Sequence, residues 1–137
     1  MPNYLNRQAL VYRWPLVIYC IAIFVQSCFP SPEVLQNLDL SDKFLHLGGY
    51  ALLGALMVRM LKRKLPGQRP WKIIALAVVF STFYGISDEL HQALVPGRHA
   101  DIMDIVADLA GSSLGAILFW WDLPLFDKPI TSHLPLS

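Results

Sequence analysis

Apolar residues gather in four runs, at 14–29, 44–58, 71–87 and 109–121, and the charged residues fall almost entirely between them. Among Asp, Glu, Lys, Arg and His, the second run carries only His46 and the third only Lys72, while the first and last carry none. A helix crossing a hydrocarbon core of about 30 Å needs about 20 residues. The last three runs approach that length only when extended through their polar ends, back to Asp42 in the second, on to Glu89 in the third and back to Asp101 in the fourth. The pattern therefore predicts an all-α, four-helix integral membrane bundle whose polar helix ends dip into the bilayer. Residues 14–121 form that domain, with 1–13 and 122–137 as short flanking segments.

Composition supports the membrane class. Hydrophobic residues make up 55% of the chain, charged residues 15%, and mean hydropathy is +0.45, which a soluble domain of this size rarely shows. A net charge of +1 gives no bulk attraction to nucleic acid, so none is expected as a partner. Arg59, Lys62, Arg63, Lys64, Arg69 and Lys72 occur with no acid among them, and the amino-terminal segment carries Arg7 and Arg13. The positive-inside bias places both on the cytoplasmic side. Both termini are then cytoplasmic, and the acidic loops face outward. The first run reads as a retained span, since Gln26 and the lack of an Ala-x-Ala site disfavour cleavage. Cys20 and Cys28 are about 12 Å apart along one helix, too far for a disulfide within it.

The richest stretch is 84–108, which packs four Asp, one Glu, two His and one Arg into 25 residues between apolar runs. Ionisable groups at membrane depth mark functional sites by default. Counted from Arg59, His46 lies 13 residues up its helix; counted from Trp121, Asp108 lies equally far, about 20 Å, and Glu89 stands about 25 Å above Lys72. Three helices thus bring polar groups to one level. Asp104, Asp108, Gly111 and Gly115 share one face of the fourth helix, and Asp42, His46, Tyr50 and Gly54 share one face of the second. Gly111-Ser-Ser-Leu-Gly115 has the small-xxx-small form that permits close helix approach, so these two helices are the expected partners. Pro96-Gly97 supplies a turn, and Asp101 suits the cap of the fourth helix. Glu89 and Arg98 are a candidate ion pair.

Asp42-Lys-Phe-Leu-His46 with Tyr50, followed by Tyr84-Gly-Ile-Ser-Asp-Glu-Leu-His-Gln92, Val95-Pro-Gly-Arg98 and Asp101-Ile-Met-Asp104 with Asp108, resembles the paired signatures of the VanZ-like family of small bacterial membrane proteins. The likeness covers about residues 39 to 119. His99-Ala100 and Asp108 depart from it, standing where a small polar pair and an Asn are more usual. The resemblance implies an outward-facing role in the bacterial envelope; the expected location is the bacterial cytoplasmic membrane, and the expected partner is membrane lipid or a lipid-linked cell-wall component. The family's name derives from a member associated with low-level teicoplanin resistance.

Three functional readings follow. In the first, an enzyme acts on a lipid-linked or phosphate-bearing envelope component, with Glu89, Asp104, Asp108 and His46 as catalytic candidates. Substrate contacts then fall to Arg98, which recognises phosphate bidentately, and to His91, Gln92, Tyr50, Asp42 and Lys43. In the second, a non-catalytic protein holds an envelope lipid or lipophilic antibiotic. In the third, Asp, Glu and His bind a metal, although no His-x-x-x-His or close Cys pair is present and no resident cofactor is expected. A channel is disfavoured because the charges cluster at one end.

Overall fold

A computed structural model describes residues 9–30 and 39–122. A π-helical turn at Ala9–Arg13 leads into α1 (Trp14–Ser27), followed by α2 (Asp39–Lys64), α3 (Pro70–Gln92) and α4 (Ile102–Asp122). The described residues contain no strand. Four segments are long and apolar enough to cross a membrane: Leu10–Ser27, Asp42–Lys64, Pro70–Gln92 and Ile102–Trp121. The protein is a multi-pass, all-α membrane bundle. Its outer surface is apolar, with Phe44, Phe83, Leu90 and Ile102 all more than three-fifths exposed, the inverse of a soluble domain and the arrangement that lipid permits.

Helices α2, α3 and α4 run past their apolar runs at both ends. At the basic end α2 continues through Arg59, Lys62, Arg63 and Lys64, beyond the stretch that hydropathy alone marks. Long basic side chains lay their stems along apolar surface and complement the negative end of the helix dipole. Lys62 Nζ lies 4.2 Å from the Trp120 ring centre, and the Arg59 and Arg63 guanidinium carbons lie 5.0 and 4.9 Å from that of Tyr12. At the other end α2 starts three residues before Asp42. The fourth helix starts just after Asp101, whose Oδ1 accepts the Met103 N–H at 2.8 Å, the expected cap. The segment 123–137, read as a cytoplasmic tail, lies outside the described residues.

The α2–α4 contact is the tightest in the bundle. A Cβ placed on Gly111 would strike the Leu47 backbone, one on Gly115 the Ala51 backbone, and one on Gly54 the Ser112 backbone. The small-residue seam thus lets two main chains touch, as its spacing predicts. At the basic end α3 joins this pair through a core of Val58, Leu61, Ile73, Ala77 and Ala116. The first helix covers α2 through Leu16, Tyr50 and Leu53. Its register is fixed by two long-range bonds, Tyr19 Oη to Gly49 O at 2.9 Å and Tyr84 Oη to Cys20 O at 2.6 Å.

Candidate functional site

The seam that closes α2 on α4 carries the polar groups one to three turns above it. Asp42, Lys43 and His46 lie on α2 and Asp104 and Asp108 on α4, so the backbone contact below determines the distances above. The Nδ1 of His46 lies 2.9 Å from Asp108 Oδ1. When Asp108 is ionised it accepts from this nitrogen, which leaves the opposite one to face the site. The Nε2 atom lies 3.9 Å from Glu89 Oε1 and 4.0 Å from Asp104 Oδ2. The match in depth between His46 and Asp108 that residue counting predicts is therefore present as a direct contact. Tyr50 stacks parallel to the His46 ring with centres 6.2 Å apart.

Lys43 closes the outer edge of the cluster. Its Nζ lies 2.8 Å from Asp101 Oδ2 and 3.6 Å from Asp104 Oδ1. The Lys43 hydrogen bond, aided by the Met103 N–H, holds the exposed Asp101 carboxyl below the usual carboxylate range. The Asp101 backbone N–H in turn donates to Glu89 Oε2 at 3.0 Å, tying α3 to the start of α4.

Burial is deep: Asp108 is fully buried, Glu89 is 2% exposed and Asp104 4%. Yet Glu89 Oε1, Asp104 Oδ1, Asp108 Oδ2 and the Tyr50 hydroxyl have no hydrogen-bond partner among the described residues. Buried carboxylate oxygens without partners are expensive. They call for a proton, a cation or a ligand.

A second polar network lies beside the first. Asp88 takes hydrogen bonds from Ser27 Oγ of α1 and from Gln92 Nε2 at 2.9 Å. The Gln92 carbonyl oxygen then accepts from Arg98 Nη1 at 2.7 Å, and Arg98 Nε donates to Phe29 O at 3.0 Å. Arg98 is buried and held by Gln92 and the end of α1. The expected Glu89–Arg98 ion pair is therefore not formed, because Glu89 turns toward His46 while Arg98 folds back across α3. Sequence reasoning also assigned no role to Ser27 or Asp88. An uncharged serine at the end of a hydrophobic helix carries no recognisable signal, and the spacing of Asp88, four residues before Gln92, shows only that the two share a helix face.

His91 stands apart from the main cluster. Its ring packs on Phe24, with centres 4.8 Å apart, and its Nε2 lies 3.4 Å from Cys28 Sγ. Asp42, His46 and Asp104 are brought together: one ligand-type atom from each lies within 4.8 Å of the other two. A cavity of ≈ 90 Å³ opens between α1 and α2, bordered by Asp42, His46, Gly49, Tyr50 and Asp88. At about 30 Å³ per water, it has room for an ion and a few waters.

A family model described as VanZ/LLP1 matches residues 40–126, which takes in α2 but for its first residue, α3, α4 and every residue of the His46 cluster. The chain belongs to the VanZ/LLP1 family. No curated protein and no solved structure matches it. The matched VanZ/LLP1 region begins after α1, so Ser27 and Phe29, which anchor Asp88 and Arg98, come from outside it.

Proposed function

We infer that this VanZ/LLP1 protein acts on a phosphate-bearing, lipid-linked component of the bacterial envelope, using the His46 cluster for proton exchange at the outer leaflet of the cytoplasmic membrane. The observation that carries this reading is the presentation of His46 Nε2 to Glu89 and Asp104 by a fully buried Asp108. A polar group entering between them meets one nitrogen and two carboxylates. Glu89 is suited to move the proton: Asp101 N–H fixes one oxygen, and the other is unpartnered and faces His46. General acid–base catalysis needs such a group within hydrogen-bond reach of the reacting atom. Arg98 serves as a latch between α3 and the end of α1, with two of its nitrogens already engaged. Lys43, one-third exposed at the rim, is the cation best placed to meet an approaching anionic headgroup. Tolerance of teicoplanin is the phenotype through which the reading is most directly assayed.

Glu89→Gln preserves side-chain volume and removes the transferable proton. In a deletion strain complemented with this variant, envelope-linked activity or drug tolerance is expected to fall to the level of the empty vector, with membrane content and melting unchanged. Full activity in Glu89→Gln removes the enzyme reading and leaves a binding protein in its place. Mass spectrometry of lipids that co-purify with the inactive variant is expected to find a phosphate-bearing species enriched over bulk lipid.

Orientation has its own test. Lys64→Cys lies at the basic end and His99→Cys on the exposed stretch between α3 and α4; the neighbouring Gly97, at φ 82°, would be strained by any side chain. In a background lacking Cys20 and Cys28, an impermeant thiol reagent applied to intact cells should label position 99 and spare position 64. The opposite result places the site on the cytoplasmic side.

A further inference from the structure

The charge balance of the cluster conflicts with an anionic ligand. Asp42, Glu89, Asp104 and Asp108 surround the His46 ring, and among the described residues Lys43 is the one permanent cation touching them. Arg98 is occupied on its far side. A phosphate brought to this point meets an excess of negative charge in a low-dielectric setting, where like charges repel strongly. Something cationic has to stand between them.

We propose that Asp42, His46 and Asp104 bind a divalent metal cation, which bridges the acidic cluster to the phosphate of the ligand. Their ligand atoms already lie within 4.8 Å of one another, a spread that modest side-chain movement closes around one ion. Three independent features point the same way. Asp108 holds His46 Nδ1 at 2.9 Å, the carboxylate–histidine support that fixes the ring of a metal-binding His and directs its other nitrogen to the ion. Glu89, 2% exposed, aims an oxygen that makes no hydrogen bond at His46 Nε2 from 3.9 Å, and Asp104, 4% exposed, has an oxygen 3.6 Å from Lys43 Nζ, beyond hydrogen-bond distance. The ≈ 90 Å³ cavity reaches Asp42 and His46 from the α1 side and is not lined by Asp104, so it offers space for water ligands beside the ion. Two carboxylates and one imidazole favour Mn²⁺ or Zn²⁺ over softer ions. Lys43 Nζ, 3.6 Å from Asp104 Oδ1, occupies part of the same negative field and competes with the metal.

This inference rests on the phosphate-bearing ligand proposed above for its purpose, but its test contains no such ligand. The metal-stripped full chain in nanodiscs is titrated with Mn²⁺ and read by electron paramagnetic resonance, with Zn²⁺ as competitor. One saturable Mn²⁺ per chain is expected. Asp42→Asn, at the half-buried edge where folding is least at risk, and Asp104→Asn should each weaken it at least tenfold. Asp108→Asn should weaken it about 10- to 100-fold through His46 alone. Lys43→Met should tighten binding, an effect that a purely structural role for the cluster would not produce. Absence of a saturable site in the wild type, or unchanged affinity in both Asp42→Asn and Asp104→Asn, overturns the proposal. Loss of function in Glu89→Gln without Mn²⁺ binding would remove the metal and leave the proton-exchange reading standing.

Discussion

Gly115→Leu is expected to abolish the folded bundle. A Cβ at position 115 would strike the Ala51 carbonyl of α2, and the same holds for Gly111 against Leu47 and Gly54 against Ser112. Each obstacle is main chain, which cannot rotate away, so a side chain at any of the three must push two helices apart. Overpacking a close contact costs about 1–3 kcal/mol when neighbouring side chains adjust, and here backbone has to move. Membrane helices lack a hydrophobic driving force between them and depend on this packing. Gly115→Ala should therefore already lower the melting temperature in detergent, and Gly115→Leu should leave no monodisperse protein. Gly48→Ala is the control: nothing lies within 4 Å of a Cβ there, and alanine is favoured over glycine in a helix by about 1 kcal/mol. Wild-type melting of Gly115→Leu would mean that α2 and α4 do not pack as described.

Much of this arrangement is legible in the residues. Steps of four and three place Asp104 and Asp108 above Gly111 and Gly115, and counting at 1.5 Å per residue sets His46 level with Asp108. Both inferences use regular helix geometry, which the apolar setting enforces by leaving backbone groups no other partners. What escapes the sequence depends on contacts that carry no periodic signal. Arg98 looks like an outward phosphate clamp because it follows a Pro-Gly turn, yet its partners are an amide side chain and the carbonyl of Phe29. A main-chain acceptor leaves no trace in composition. The part played by Ser27 is hidden for a related reason: α1 has no charges from which to count depth, so its approach to Asp88 depends on how it leans against α2 and α3.

Gly85→Ala is expected to disable the site while sparing the fold, though it alters no ionisable group. A Cβ at position 85 on α3 would collide with Asp108 Oδ2 and lie 3.1 Å from Asp108 Cγ and from Tyr50 Cε1. Unlike the obstacles along the α2–α4 seam, the nearest of these is the end of a side chain, which can turn aside at small cost in packing. Turning aside breaks the 2.9 Å contact with His46 Nδ1. The ring then loses its orientation, and Nε2 is no longer held toward Glu89 and Asp104. A positioned acid–base group contributes about 10²- to 10⁴-fold to rate, so a loss of about a hundredfold or more is expected with melting close to wild type. The comparison variant is Asp108→Asn, which keeps the shape and removes the charge; combined with Gly85→Ala it should add little further loss, because both act through the same His46 contact. If Gly85→Ala retains full activity, or if its effect simply multiplies with that of Asp108→Asn, the orientation of His46 by Asp108 is not what the function depends on.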